Sequence, residues 1–237
     1  MKCLIIIPTY NERTNIEPLI KRILEIREDI DILVIDDNSP DGTGKIVEEI
    51  SKSNSRVKLF ERECKRGLGS AYLMGFKYAL QSNYDAVFEM DADFSHDPAM
   101  IPVFIDKMNK ADLVIGSRYL KGISVVNWPL RRLALSLFAN FYIRLILNLP
   151  IKDCTSGFKC FRKEVLKSIN LDKIKSDGYS FQIEMNYYAF KKGFKIEEIP
   201  IIFVDRHSGF SKMSKKIILE ALLLPWRLRF LSWMTKI

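Results

Sequence analysis

Two aspartates one residue apart, Asp91 and Asp93 in "EMDADFSHDP", stand behind a short apolar run, and a second acidic pair, Asp36 and Asp37, closes "DILVIDD". Carboxylates so placed suit Mg²⁺ or Mn²⁺, which takes oxygen ligands, usually one or two carboxylates completed by substrate phosphate oxygens. Cations stand in neighbouring segments: Lys65 and Arg66 in "ECKRGLGS" and Arg118 in "IGSRY". Acid and base together point to a phosphorylated ligand bound with a divalent ion. A bare D-x-D is common, and Asp97 also reads as the N-cap of a following helix. The decision therefore rests on whether other loops reach the same place.

The elements that must position these groups alternate along the chain. Strand-like runs "KCLIII", "DILVID", "RVKLF", "DAVFEM" and "DLVIG" are separated by helical patterns over 14–27, 43–52, 68–81 and 98–109. Such alternation predicts an α/β fold with a Rossmann-like, mostly parallel sheet flanked by helices. In sheets of this kind ligands bind beyond the carboxyl ends of the strands. Those five ends carry "PTYNE", "DDNSPDGT", "ECKRGLGS", "DADFSH" and "SRY", while the opposite ends carry ordinary turn residues. One shared site explains this better than five unrelated loops. "KRGLGS" is not a dinucleotide fingerprint, because the third glycine and the ribose-binding acid are missing. Its glycines read as turn residues at a helix start whose amides could also approach a phosphate.

Composition sets the outer bounds. At 237 residues, 48% of them apolar, the chain can bury a substantial core, and its net charge of +8 favours anionic partners. The four cysteines have no zinc-site spacing and read as reduced thiols. Nucleic acid is a poor partner, since a basic module would leave the acidic loops unexplained and no basic stripe with interleaved aromatics crosses the core. A nucleotidyltransferase would need a glycine-rich loop with arginine after the first strand, where "PTYNE" stands.

Taken together and in order, "IIIPTYNE", "VIDDNSPDGT", "KRGLGSAY", "EMDADFSHDP", "IGSRY", "DCTSGFKCFR", "GYSFQIEM" and "VDRHSGFSKMS" resemble the family 2 glycosyltransferases, most closely the polyprenyl (dolichyl) phosphate mannose synthases. The resemblance implies a GT-A fold that moves mannose from GDP-mannose to the phosphate of a membrane polyprenol, with inversion and with a metal. It also implies residue roles. Pro8, Tyr10, Glu12, Ile35 and Asp37 would hold the nucleoside, and Asp91, Ala92 and Asp93 would meet diphosphate and metal. Arg206 and Lys212 would lie over the donor phosphates. Some members carry Gln as a third metal ligand where Ser95 stands here. Transfer of glucose or an N-acetylated sugar from UDP to the same lipid phosphate is the alternative reading.

A phosphate acceptor is already ionised near neutral pH and is itself the nucleophile, so no general base is required. His96 and His207 accordingly read as loop hydrogen-bonders. Were the acceptor a hydroxyl, Glu184 would be the carboxylate to examine; its other role is to anchor a helix. Arg118, Arg131 and Ser136 are the candidates for acceptor phosphate, with Arg118 also facing the donor and, with Asp91, Asp93 and Arg206, completing the catalytic set. Residues 1–212 are expected to form the catalytic domain and 213–237 an amphipathic helical segment. In that segment Trp226, Phe230 and Trp233 recur beside Lys215, Lys216, Arg227, Arg229 and Lys236. Such a segment suits peripheral attachment to the cytoplasmic face of a membrane; packing against the core is the other reading. The lipid is then met by amphipathic helices or by a membrane partner protein.

Overall fold

The computed structural model of the protein describes residues 1–205 and 222–231. Its main sheet contains β1 (Cys3–Thr9), β2 (Ile30–Asp36), β3 (Val57–Glu61), β4 (Ala86–Glu89), β5 (Leu113–Ser117), β7 (Lys159–Arg162) and β8 (Ile196–Pro200), and β6 (Val125–Val126) pairs with β9 (Phe203–Val204) in a small second sheet. The main order is β3-β2-β1-β4-β7-β5-β8. Every strand in it runs parallel except β7, which lies antiparallel between β4 and β5. β1 and β2 are near-continuous apolar runs because helices cover both of their faces.

The pleat sends alternate residues to two separate cores. Cys3, Ile5 and Ile7 join the core under α1 (Ile16–Leu24) and α4 (Ile101–Lys107). Leu4, Ile6, Leu33 and Ile35 join the core under α3 (Leu68–Gln81), α5 (Leu130–Leu147), α6 (Lys163–Ser168) and α7 (Gly178–Lys191). α1 buries Ile16, Leu19, Ile20 and Ile23, an i, i+3, i+4, i+7 stripe. The helices predicted over 43–52 and 68–81 are α2 (Thr43–Ser53) and α3. The one predicted from 98 begins as a tight turn over Pro98–Met100, where the Asp97 carboxylate accepts the Ala99 N–H at 3.0 Å.

The antiparallel insertion of β7 carries the main topological consequence for function. Because β7 runs against its neighbours, its amino end meets the carboxyl ends of β4 and β5. The segment "DCTSGF" therefore joins the loops of the parallel strands at one edge. Residues 222–231 are helical, with Leu224 and Leu228 in the core and Trp226 and Phe230 exposed. Trp226 Nε1 donates to the Tyr142 hydroxyl at 2.9 Å, and that hydroxyl donates to the Leu222 carbonyl at 2.7 Å, tying this helix to α5. The C-terminal helix thus closes the core on one face and leaves an apolar face outward. Trp233, Lys215, Lys216 and Lys236 lie outside the described residues.

Candidate active site

The loops after β1, β2 and β3 form the first wall. Asp36 is a structural carboxylate: it accepts from Thr9 Oγ1 and Ser39 Oγ at 2.6 Å each and from the Ser39 N–H at 2.8 Å, binding two strand ends together. Asp37 instead meets Arg62, whose guanidinium donates to its carboxylate, to Ser70 Oγ at 2.6 Å and to the Gly67 carbonyl at 3.1 Å. The cation facing Asp37 is therefore Arg62, whereas Arg66 is exposed beside Glu63. Lys65 lies 3.9 Å above the centre of the exposed Tyr10 ring. Glu12 accepts from Asn15 Nδ2 at 2.8 Å, and its N–H donates to Thr43 Oγ1 at 2.9 Å. Pro8 pairs with Ile35 across the strands, but the Ile35 side chain is fully buried in the core. A contact of Ile35 with the nucleoside would therefore have to be made by its backbone.

The loop after β4 carries the paired aspartates. Phe94 sits at φ 59°, in the left-handed region, so the chain doubles back and the Ser95 N–H donates to Asp93 Oδ1 at 3.0 Å. Ala92 packs into the core, while Asp91 and Asp93 are half-exposed. The Asp91 N–H donates to His96 Nδ1 at 3.0 Å, leaving the proton on Nε2, 3.8 Å from Asp91 Oδ2. Burial against Phe158, with ring centres 4.9 Å apart, holds His96 below its ordinary pKa and neutral. His96 therefore shapes this loop, as its sequence context implied. Ser95 Oγ is buried with no hydrogen-bond partner among the described residues.

Across the edge, Arg118 is locked before any ligand arrives. Its Nε and Nη2 donate to the two oxygens of Asp153 at 2.6 Å each, Nη2 also donates to Thr155 Oγ1 at 2.7 Å, and its backbone N–H donates to Asp153 at 3.0 Å. Glu198 in β8 accepts from the N–H groups of Lys152 and Asp153, and Asn140 accepts from the Cys154 N–H, so the loop before β7 is fixed from two sides. The side-chain bonds occupy three of the five guanidinium donors and leave the two on Nη1. Tyr119, Trp128 and Phe203 surround the same group.

Beside Arg118 opens a cavity of about 240 Å³. Arg118, Arg132, Ser136, Thr155 and Tyr179 make one part of it polar, and Leu135, Phe138, Ala139, Ile143 and Leu222 make the rest apolar. Ser136 shares a 2.7 Å hydrogen bond with the Tyr119 hydroxyl, and Arg132 pairs with Asp205 at 2.7 Å over the Trp128 ring. Arg118 and Ser136 thus meet as expected. Arg131 does not join them: it is exposed and absent from the cavity lining, because one helical step turns a side chain by roughly 100°. Arg132 takes the place expected of Arg131.

Three further features lie at or behind this edge. The amide of Gly69, at the start of α3, is already taken by Asp177 Oδ1 at 2.6 Å, and a Cβ on Gly67 would stand 2.2 Å from the same carboxylate. That helix start holds a carboxylate of the chain itself where the sequence suggests a phosphate contact. Glu184 accepts from Ser176 Oγ at 2.5 Å, and burial raises its pKa; this is an anchored carboxyl on α7. Glu89 and Lys159 are both fully buried beneath the Asp91 loop, where burial pushes the carboxyl up to about 7 and the ammonium down to about 8. Arg206, Lys212 and His207 lie outside the described residues.

Comparison with known proteins adds to this geometry. The family model described as Glycosyl transferase family 2 matches residues 4–169. A polyprenol monophosphomannose synthase of Mycolicibacterium smegmatis is 45% identical over 93% of this chain and 84% of its own length. An undecaprenyl-phosphate mannosyltransferase of Micrococcus luteus is 42% identical over 93% of this chain and 91% of its own. A dolichol-phosphate mannosyltransferase of Pyrococcus furiosus is 40% identical over 96% of this chain but only 64% of its own length. Among solved structures, a glucosyl-3-phosphoglycerate synthase of Mycobacterium tuberculosis, crystallised with Mn²⁺, UDP-glucose and phosphoglyceric acid, superposes with a TM-score of 0.68 at 18% identity over 94% of this chain and 79% of that one. That likeness speaks to the α/β, GT-A fold.

Proposed function

From the premise that the chain belongs to glycosyl transferase family 2, an enzyme family, we propose that it transfers mannose from GDP-mannose to the phosphate of a membrane polyprenol. The names of its relatives support mannosyl transfer to a polyprenyl phosphate. The observation that carries the reading is the two-sided chemistry of the cavity. Its arginines and hydroxyls suit a phosphate head, and its apolar part, running to Phe138 and Leu222, suits the first isoprene units.

The donor is assigned to the opposite wall, with Tyr10, Glu12 and Asp37 toward the nucleoside and Asp91 and Asp93 toward the diphosphate. Among the described residues no three His, Cys, Asp or Glu side chains gather into a metal cage. A divalent ion would instead be held by Asp91 and Asp93, with the unpartnered Ser95 hydroxyl beside them and phosphate oxygens completing its shell. When bound, Mg²⁺ or Mn²⁺ would neutralise charge on the departing diphosphate.

The chain's own residues then have mainly to position and hold charge. A phosphate monoester with its second pKa near ~6 is largely dianionic at neutral pH and attacks the anomeric carbon without a base, inverting it. Two features agree: His96 is neutral and occupied by Asp91, and Glu184 is occupied by Ser176. The Nη1 donors of Arg118, with Arg132 and Ser136, orient the nucleophile.

Phe138, Phe141 and Leu145 on α5 and Trp226 and Phe230 on the last described helix are exposed, alongside Arg131, Arg144, Arg227 and Arg229. No described helix is long and apolar enough to cross a membrane. An apolar face with flanking arginines supports lying in the headgroup region of an anionic bilayer, the cavity opening toward the lipid.

The test is calorimetric titration with GDP-mannose, GDP, UDP-glucose and UDP, each with Mn²⁺ and with chelator, followed by transfer to polyprenyl phosphate in vesicles. Mn²⁺-dependent binding of the guanosine compounds is expected, lost in Asp91→Ala and Asp93→Ala. Preference for uridine compounds would overturn the donor, and undiminished binding in both variants would overturn the metal site.

A further inference from the structure

Beneath the paired aspartates lies a buried charge pair that the transfer reaction does not use. Glu89 and Lys159 face each other in the antiparallel register of β4 and β7, and both are 0% exposed. Glu89 is the last residue of β4, two positions before Asp91. From α7, Gln182 reaches the pair: Lys159 Nζ donates to its Oε1 at 2.5 Å and to its backbone carbonyl at 3.1 Å. Both Glu89 oxygens and Gln182 Nε2 lack a hydrogen-bond partner at ordinary distance among the described residues, yet the amide is near enough to favour the ionised carboxyl. Gly157 marks where this group touches the loop above. A Cβ there would stand 3.8 Å from Gln182 Nε2, 3.9 Å from Asp91 Oδ1 and 3.6 Å from His96 Cε1.

Such a pair is a poor device for stability. Desolvating two ions costs more than sparse hydrogen bonding returns, and an apolar pair of similar shape usually serves a core as well or better. What the arrangement does supply is registration. Glu89 belongs to the strand that ends in the Asp91 loop, Lys159 to the strand that follows the Arg118-binding loop, and Gln182 to the helix that carries Tyr179 into the cavity. The three elements meet at one buried point between the donor and acceptor walls.

We propose that Glu89, Lys159 and Gln182 are positioning residues that set the Asp91–Asp93 loop in the geometry needed to bind a divalent ion together with a nucleoside diphosphate. The proposal rests on the metal-dependent reading above. Partners behind metal ligands commonly change metal affinity by roughly 10- to 100-fold, and a shift in that range is expected here.

The experiment is calorimetry of Mn²⁺ binding in the presence of GDP, with GDP binding in chelator and melting temperature measured alongside. Lys159→Met and Gln182→Met are expected to weaken Mn²⁺ at least about tenfold while leaving metal-free GDP binding unchanged. Because either single change could unfold the chain, Glu89→Gln combined with Lys159→Met is the decisive variant: it buries no charge, should fold, and should still bind Mn²⁺ weakly. Val87→Ala, on the same strand face, serves as control and should lower the melting temperature with Mn²⁺ affinity intact. A folded double variant with wild-type Mn²⁺ affinity overturns this proposal alone. Failure of the wild-type protein to bind Mn²⁺ with any nucleotide overturns it together with the metal reading.

Discussion

Asp153→Ala would test whether Arg118 is held by its buried carboxylate or merely lies near it. Asp153 is 0% exposed and Arg118 4%, and two 2.6 Å side-chain bonds plus the 3.0 Å backbone bond join them. Truncating Asp153 leaves a guanidinium in the interior with Thr155 as its remaining hydrogen-bond partner among the described residues. Removing one member of a buried pair costs about 3–5 kcal/mol. In a domain of this size each kcal/mol moves Tm by about 2–4 °C, so Tm should fall by about 6–20 °C. Asp153→Asn, which keeps the shape and one acceptor, should lose less, and Asp153→Leu with Arg118→Met should recover much of the loss because no charge remains buried. Urea unfolding of the wild type, Asp153→Leu, Arg118→Met and their combination completes a double-mutant cycle that isolates the pair. A loss under about 1 kcal/mol for Asp153→Ala, the range of exposed ion pairs, would refute the reasoning. Transfer kinetics on the folded Asp153→Asn variant should show a raised KM for the lipid phosphate, since Nη1 would no longer be aimed.

Other expectations follow from single contacts. Glu184→Gln should keep most transfer activity and lose about 1–3 kcal/mol of stability from its 2.5 Å bond with Ser176; collapse of kcat with normal stability would restore the carboxylate as a base. Of the four cysteines only Cys64 is exposed, so one thiol should react with a disulfide reagent at pH 8 and four after unfolding. Burial pushes the Cys3 and Cys154 thiols up to about 12. Their contribution to stability is therefore complete below the ordinary thiol range near ~8.5 and is lost as pH climbs from there toward 12, a decline that alkaline melting curves should record. Phe138→Ser with Phe141→Ser should weaken association with anionic vesicles several-fold, since both rings are about three-fifths exposed; unchanged association would remove α5 from the membrane contact.

Much of the edge was legible because periodicity reports which face of an element is buried. β1, β2 and α3 could be read within a residue or two, and so could the carboxyl-edge location of "PTYNE", "DDNSPDGT" and "DADFSH". The strand order could not. β7 is a four-residue run, and nothing in "KCFR" says that it lies between β4 and β5 or runs against them. In the sequence Arg62 does not stand out from Lys65 and Arg66, because three basic residues within five positions look alike without their partners. Only the fold shows that Asp37 and Ser70 close on the first of them. The exchange of Arg131 for Arg132 is a phase error on a helix whose sides are nearly equally apolar, leaving the periodic signal nothing to lock onto.

Asp153, Glu89 and Lys159 show a different kind of illegibility. A charged residue in an apolar strand or a tight loop ordinarily reads as surface, and its burial is decided by a partner distant in sequence: Asp153 lies 35 residues from Arg118, and Lys159 belongs to the inserted strand. Such pairs are tolerated only where both partners are delivered together, so they concentrate where the chain crosses between walls of the site. The antiparallel strand delivers both. Its leading loop clamps the arginine assigned to the acceptor, and its first residue lies under the aspartates assigned to the metal. Moving β7 by one register would flip Lys159 to the opposite face and carry Asp153 away from Arg118. A substitution that loosens this four-residue strand should for that reason disturb the Arg118 clamp and the Asp91 loop at once.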